Sequence, residues 1–293
     1  MSQVTYFQMK RAGVRAAQAA IYIFMVLFCV SILIPVALTL VVSFSSELSV
    51  MQRGYTFFPT GFSLDAYRAV FRYANMGQAY LVSIFITVVG TVISVSLCSM
   101  AGFVLSRKSV KYRNVIMLAL FIPTLFNPGV LAWYYNIVYV YRMANTIWVL
   151  FVPSLVNVFN IYLVRNYYAS IPDSVEESAK IDGARPFKIF WKIMFPIALP
   201  ITATITLFIS LGYWNDWYLA SWFITSDYRH LYPLQYNLYL LWNTLQNVEN
   251  QAQLPQRTIY VAATFVTMGP IVLVYPFVQR FFIRGIMVGS VKG

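Results

Sequence analysis

The residues able to do chemistry are few. Across 293 positions there are one histidine, two cysteines and nine acids. No HExxH run accompanies His230, and Cys29 and Cys98 do not cluster, so no metal site is expected. Both cysteines sit inside apolar runs, where a thiol behaves as a small hydrophobe. There is no GxxxxGK[ST] loop, so the chain does not bind ATP through a P-loop. No nucleophile and base stand at matched positions for hydrolysis. The acids remain, and they are grouped. Asp173, Glu176, Glu177 and Asp182 fall in 171–200, IPDSVEESAKIDGARPFKIFWKIMFPIALP, and Asp216 falls in 210–222, SLGYWNDWYLASW. A surface group of carboxylates suits pairing with basic groups on a partner. A carboxylate inside an apolar run is expensive and faces a cavity or a partner. Asp216, with Tyr213, Trp214, Asn215 and Trp217, mixes polar groups for hydroxyls with aromatic faces for sugar rings; the competing role for Asp216 is to cap a helix break.

Apolar runs must position these residues. The chain is 60% hydrophobic and 10% charged, against about 25% charged in soluble domains, which makes lipid its main solvent. The net charge of +12 is spread over the gaps between apolar runs rather than gathered on one face, so nucleic acid is not implied. A spanning helix needs about 20 mostly apolar residues. Six segments qualify: 16–42, 80–105, 115–138, 146–164, 197–224 and 259–278. The first is too long for a signal-peptide core and lacks a small-residue cleavage site, so it is read as a retained span. The fifth is the least regular, because Asn215 and Asp216 interrupt it. Fifteen of the 21 Lys and Arg lie on one side: the N-terminus, 106–114, 165–196 and the C-terminus. That bias puts both termini in the cytoplasm and agrees with six spans. We therefore expect an all-α membrane protein of one transmembrane domain, 1–293 with its core at 80–280, in a bacterial cytoplasmic membrane. Pro35, Pro123, Pro128, Pro153, Pro270 and Pro276 lie within spans and predict kinks. The long outer segments, 43–79 and 225–257, are dense in Tyr, Trp and Phe. Interfacial anchoring and docking of an external partner both fit them.

The 171–196 loop reads as helix, tight turn, helix. Ser174 and Glu177 form a capping-box pattern, Glu176 and Lys180 an i,i+4 ion pair. Gly183 is placed for a left-handed C-terminal turn, and Pro186 for the first turn of the next helix. Phe187, Phe190 and Trp191 are expected to offer apolar docking surface.

The spacing of Glu177, Ser178, Ala179, Gly183, Ile193, Phe195 and Pro196 resembles the EAA signature of ABC-importer permeases, with Ser178 in place of the first Ala and Phe195 in place of Leu. The resemblance implies the type I permease fold with six helices. It implies a coupling element that seats on a cytoplasmic ATPase through Glu176, Glu177, Ala179, Asp182, Gly183, Ala184, Phe187 and Pro196. The tail 281–293 is similar to that of the shorter carbohydrate permeases of the maltose-permease kind, which implies ATPase contacts by Gly289, Lys292 and Gly293. The 210–222 segment resembles the Trp-Asn-acid segment of the same family, which implies a substrate path at Tyr213, Trp214, Asn215, Asp216 and Trp217. The implied partners are a second, longer permease, an ATPase homodimer that holds ATP and Mg, an extracytoplasmic sugar-binding protein, membrane lipid and an oligosaccharide. No cofactor is expected on this chain and no catalysis by it. Within the family the wording at 275–277 and 289–293 looks like permeases for alginate or other acidic oligosaccharides. A neutral sugar, glycerol phosphate or a polyamine is the alternative solute. A secondary transporter would need inverted repeats, and no internal repeat is seen.

Overall fold

The computed structural model describes residues 3–58, 61–73, 76–126, 128–247 and 257–272. The helices run in order α1 (Gln3–Ser43), α2 (Glu47–Arg53), α3 (Asp65–Tyr73), α4 (Met76–Ser106), α5 (Arg113–Leu125), α6 (Val130–Tyr135), α7 (Val158–Ala169), α8 (Asp173–Ile181), α9 (Pro186–Ile189), α10 (Phe195–Ile197), α11 (Leu199–Trp214), α12 (Tyr218–Phe223) and α13 (Leu234–Asn247). A last apolar helix, α14, covers Arg257–Val272. Among the described residues the only β-pairing is one antiparallel bridge, Ser45 to Phe62.

The chain forms two compact units. The first holds 1–73 and 245–266. Its α1 is apolar around its circumference and exposed from Ala17 to Ala37, with Val42 and Ser43 buried at its end; such an exposed apolar stretch is solvated by lipid or by another chain. Ser46 caps α2, its Oγ accepting the Ser49 N–H. The Glu47 carboxylate accepts the N–H groups of Arg257 and Thr258 at 3.2 and 2.9 Å, and so satisfies the start of α14.

The second unit holds 74–244 and 267–293, described to 272. Its axis is α4, packed against α7 and α11. Small residues let the backbones approach. A Cβ on Gly102 would lie 2.9 Å from Val164 Cγ1, and one on Gly90 would lie 2.8 Å from the Tyr213 ring. Cys98, Phe103, Val164, Tyr168, Ile205 and Ile209 belong to one continuous apolar core around this seam.

The spans are more broken than the sequence suggested. Among the described residues α1 and α4 alone are long and apolar enough to cross a membrane unbroken, and five spans result if each bent pair is one. The segment predicted at 115–138 breaks between Leu125 and Val130, at Pro128 and a Gly129 with φ of 81°. The segment at 146–164 enters α7 through two short 3-10 turns, one containing Pro153, with a bend of 48°. The segment at 197–224 is α11, which stops at Trp214, followed by a separate α12. In the first two runs proline removes a backbone donor and clashes with the preceding turn; the third breaks at Asn215 and Asp216, without proline. The final segment is described only to Val272, and Gly289, Lys292 and Gly293 lie outside the described residues.

Candidate functional site: the 171–197 hairpin and the Asp216 cavity

The hairpin is built largely as its spacing predicts, with one change at its start. Pro172 occupies the N-cap of α8 and Ser174 lies inside the helix, so the Ser174–Glu177 capping box is not formed. Proline has a fixed φ suited to helix entry, and Asp173 and Glu176 in the first turn complement the positive helix end. Lys180 Nζ lies 2.7 Å from Glu176 Oε1, the expected i,i+4 pair. At the other end, Gly183 has φ of 74°. The Gly183 N–H donates to Lys180 O and the Ala184 N–H to Ala179 O, both at 3.0 Å. This is the paired Schellman closure that satisfies the terminal carbonyls. A Cβ at Gly183 would meet nothing within 4 Å, so glycine is needed there for its backbone and not for space.

Pro186 opens α9 as expected, and the chain then widens into a π turn, Phe190–Met194, before α10. Here a second expectation fails. Phe190 is 3% exposed, and its ring packs against Phe103, Trp191 and Phe195 at 5.4, 4.9 and 5.8 Å. It anchors the hairpin to α4 through Phe103 instead of presenting surface. The outward face carries Glu177, Ser178, Asp182, Ile181 (86% exposed) and Phe187 (70% exposed). Ala179 is buried beneath it, Ala184 is half-buried, and Pro196 is exposed in α10.

The residue that composition analysis treated merely as an orienting charge, Arg107, is central. It is 8% exposed, at the end of α4. Its Nη1 lies 3.2 Å from Glu176 Oε2 and 3.7 Å from Asp173 Oδ1. Its Nη2 donates to Tyr168 O at 3.3 Å, and its guanidinium carbon sits 4.8 Å from the Phe103 ring centre. The available signal was an i,i+3 pair of acids in one inner loop and an Arg-Lys step in the other.

The second site is a cavity of about 420 Å³ lined by Ser154, Asn157, Phe159, Asn160, Phe208, Ile209, Gly212, Tyr213 and Asp216. Asp216 caps a helix start and also lines this cavity. Its Oδ1 accepts the Leu219 N–H at 3.0 Å, which starts α12. Tyr213 lines it too, its hydroxyl donating to Phe151 O at 3.1 Å. The other three predicted path residues are elsewhere. Trp214 borders a separate apolar cavity with α4 and α14 residues, its Nε1–H donating to Thr267 O. Asn215 accepts from Gln235, and Trp217 stacks on Tyr239 at 4.4 Å. Asn157 and Asn160 were missed by sequence reasoning. The clue was Ser154, Asn157 and Asn160 at three-residue intervals in an apolar segment, which places them on one helical side. Among the described residues no group of three His, Cys, Asp or Glu could hold a metal ion.

Comparison with known proteins follows the same outline. Residues 4–288 match the family described as binding-protein-dependent transport system inner membrane component. The chain is 34% identical over 280 residues to the polygalacturonan/rhamnogalacturonan transport system permease protein YtcP of Bacillus subtilis (strain 168), covering 93% of this chain and 97% of that one. It is 35% identical to Protein LplC of the same organism, over 86% of each. A crystal structure of a bacterial ABC transporter involved in the import of the acidic polysaccharide alginate contains a chain that superposes with a TM-score of 0.81 at 26% identity. That match covers 92% of this chain and 97% of the other.

Proposed function

The chain belongs to the family of binding-protein-dependent transport system inner membrane components, and from that premise we propose that it is a permease subunit of an ATP-driven importer of acidic oligosaccharides, driven through the 171–197 hairpin. It is a multi-pass inner-membrane transport subunit and not an enzyme. The observation that carries the coupling role is how the hairpin divides its charges. Glu176 is held inward by Arg107 and Lys180, and the exposed Asp173 is paired with Arg107 and Lys108, while Glu177 and Asp182 stand outward beside Ile181 and Phe187. A rigid element with an outward acid-and-apolar face is suited to seating on a basic groove of an ATPase dimer that holds ATP and Mg. The tail residues Gly289, Lys292 and Gly293 would add contacts there.

The solute class is supported by two relatives whose own names specify acidic glycans, polygalacturonan/rhamnogalacturonan and alginate. We assign a uronate oligosaccharide, delivered by an extracytoplasmic binding protein. A second, longer permease would close the path beside the Asp216 cavity. One observation favours a second reading, a neutral oligosaccharide: Asp216 puts a carboxylate in the cavity and no lining residue is basic, an arrangement that repels an acidic sugar.

The test is uptake by the complete importer in proteoliposomes. Uronate oligosaccharides should be transported and should stimulate ATP hydrolysis when loaded on the binding protein; uptake of the neutral oligosaccharide alone selects the second reading. Glu177→Lys should lower transport roughly tenfold by setting like charges against the ATPase, and wild-type transport would remove the hairpin from coupling. The six-span arrangement with both termini inside is tested after replacing Cys29 and Cys98. A cysteine at Gly61 should label from outside and one at Lys108 from inside; external labelling at Lys108 would overturn this topology.

A further inference from the structure

We propose that Arg107 is the positioning residue that makes the hairpin and α4 move as one body, so that displacement of α8 reaches the Asp216 cavity. The inference rests on the coupling role proposed for the hairpin and adds a route through the chain.

The case begins with a buried charge. A guanidinium so withdrawn from water is costly unless it is paired and hydrogen-bonded; here both Nη atoms are engaged, and Nε is buried without a hydrogen-bond partner. Arg107 meets two carboxylates of α8, a carbonyl of the last turn of α7, and the face of Phe103. Three elements thus converge on one planar fork: the end of α4, the C-terminal end of α7, where carbonyls lack helical partners, and the N-terminal turn of α8. The link between α7 and α8 is only Ser170, Ile171 and Pro172. Without the fork, a push on α8 could be absorbed by rotation at that short link.

The middle of α4 is tied to the cavity as well, through residues nine to seventeen positions before Arg107. Over 31 residues, about 45 Å at helical rise, α4 runs from the hairpin along α7 and α11. Its Ser94 hydroxyl donates to Leu155 O at 2.5 Å, beside Ser154. The Cys98 thiol lies 3.9 Å from the carbonyl of Asn157, a cavity residue. Gly90 receives the ring of Tyr213, another cavity residue. A helix closely packed at its hairpin end and along its middle transmits displacement between them, since packed cores deform little. Lys108, at 79% side-chain exposure, pairs only peripherally with Asp173 and cannot replace the fork.

The experiment uses the complete importer in proteoliposomes and reads the number of sugars transported per ATP hydrolysed, together with the amount of ATPase co-purifying. This ratio is independent of how much complex folds, so a merely structural role would leave it unchanged. Arg107→Met should lower the ratio at least fivefold in the complex that assembles. Arg107→Lys keeps the charge but cannot reach Glu176, Asp173 and Tyr168 O together, and should give an intermediate ratio. If Arg107→Met yields no complex, the Arg107→Lys ratio decides. A wild-type ratio in the assembled variants overturns the proposal. Glu177→Lys, measured alongside, separates the two readings: a lowered ratio there with a wild-type ratio at Arg107 removes the Arg107 route and keeps the hairpin, whereas wild-type ratios in both remove the coupling role itself.

Discussion

The 171–197 hairpin and the 214–218 break solve the same problem in different ways. Each interrupts apolar helix with a polar turn that contains carboxylates. In the hairpin the inward acid, Glu176, is held by side-chain cations, Arg107 and Lys180, and other acids are left facing outward. At the break the single acid, Asp216, is held by a backbone N–H of the next helix, and its aromatic neighbours are held by stacking or burial. The hairpin therefore keeps a free acidic face on a rigid support. The break spends part of its carboxylate on the fold and offers only the remainder to a cavity. Adjacent residues of one motif, Glu176 and Glu177, can accordingly have opposite duties, support and contact.

The sharpest way to break this contrast is to exchange a buried for an exposed aromatic in the hairpin. Phe190→Ala removes a ring packed on Phe103 and should cost about 3–5 kcal/mol, seen as a large loss of folded chain in thermal denaturation. Phe187→Ala, at an exposed ring, should leave denaturation unchanged and weaken ATPase co-purification instead. Equal behaviour of the two would erase the division between support and face.

Gly183→Val should come next. A β-branched residue at φ of 74° adds about 1–3 kcal/mol of strain. The expected result is a folded bundle with strongly reduced binding-protein-stimulated ATP hydrolysis. Because a Cβ meets nothing there, Gly183→Asn, which tolerates the left-handed region, should recover most of that activity. Failure of Asn to recover it would mean the side chain itself obstructs the ATPase.

The break yields a smaller effect. Asp216→Ala deletes the acceptor for Leu219 N–H and should cost about 1 kcal/mol. Asp216→Asn keeps an acceptor and should melt like wild type. Reduced transport in Asp216→Asn at normal stability isolates the cavity role; normal transport leaves Asp216 purely structural. Smallest of all, Lys108→Ala should change stability by less than about 0.5 kcal/mol in denaturation, since both members of its pair are exposed. A larger loss would make the outer rim of the hairpin part of its support.

The solvent, the helical class and the register of the hairpin were legible from the residues alone. Apolar length and charge sidedness report on lipid directly. Glu176–Lys180, Gly183 and Pro186 obey local rules whose partners lie within a few residues, so their geometry followed from spacing. The Ser174 cap failed because a proline two residues earlier started the helix first. The features that needed the folded chain involve partners distant in sequence. Nothing local marks Arg107 as the counter-ion of Glu176, 69 positions away, or brings Asn157 beside Asp216. Nor does composition tell Phe190 from Phe187, since only three positions along the hairpin separate a ring in the core from an exposed one. Spacing fixes what a helix does to its own neighbours. Burial, and with it the division between residues that hold the site and residues that form it, is set by what other helices place against each face.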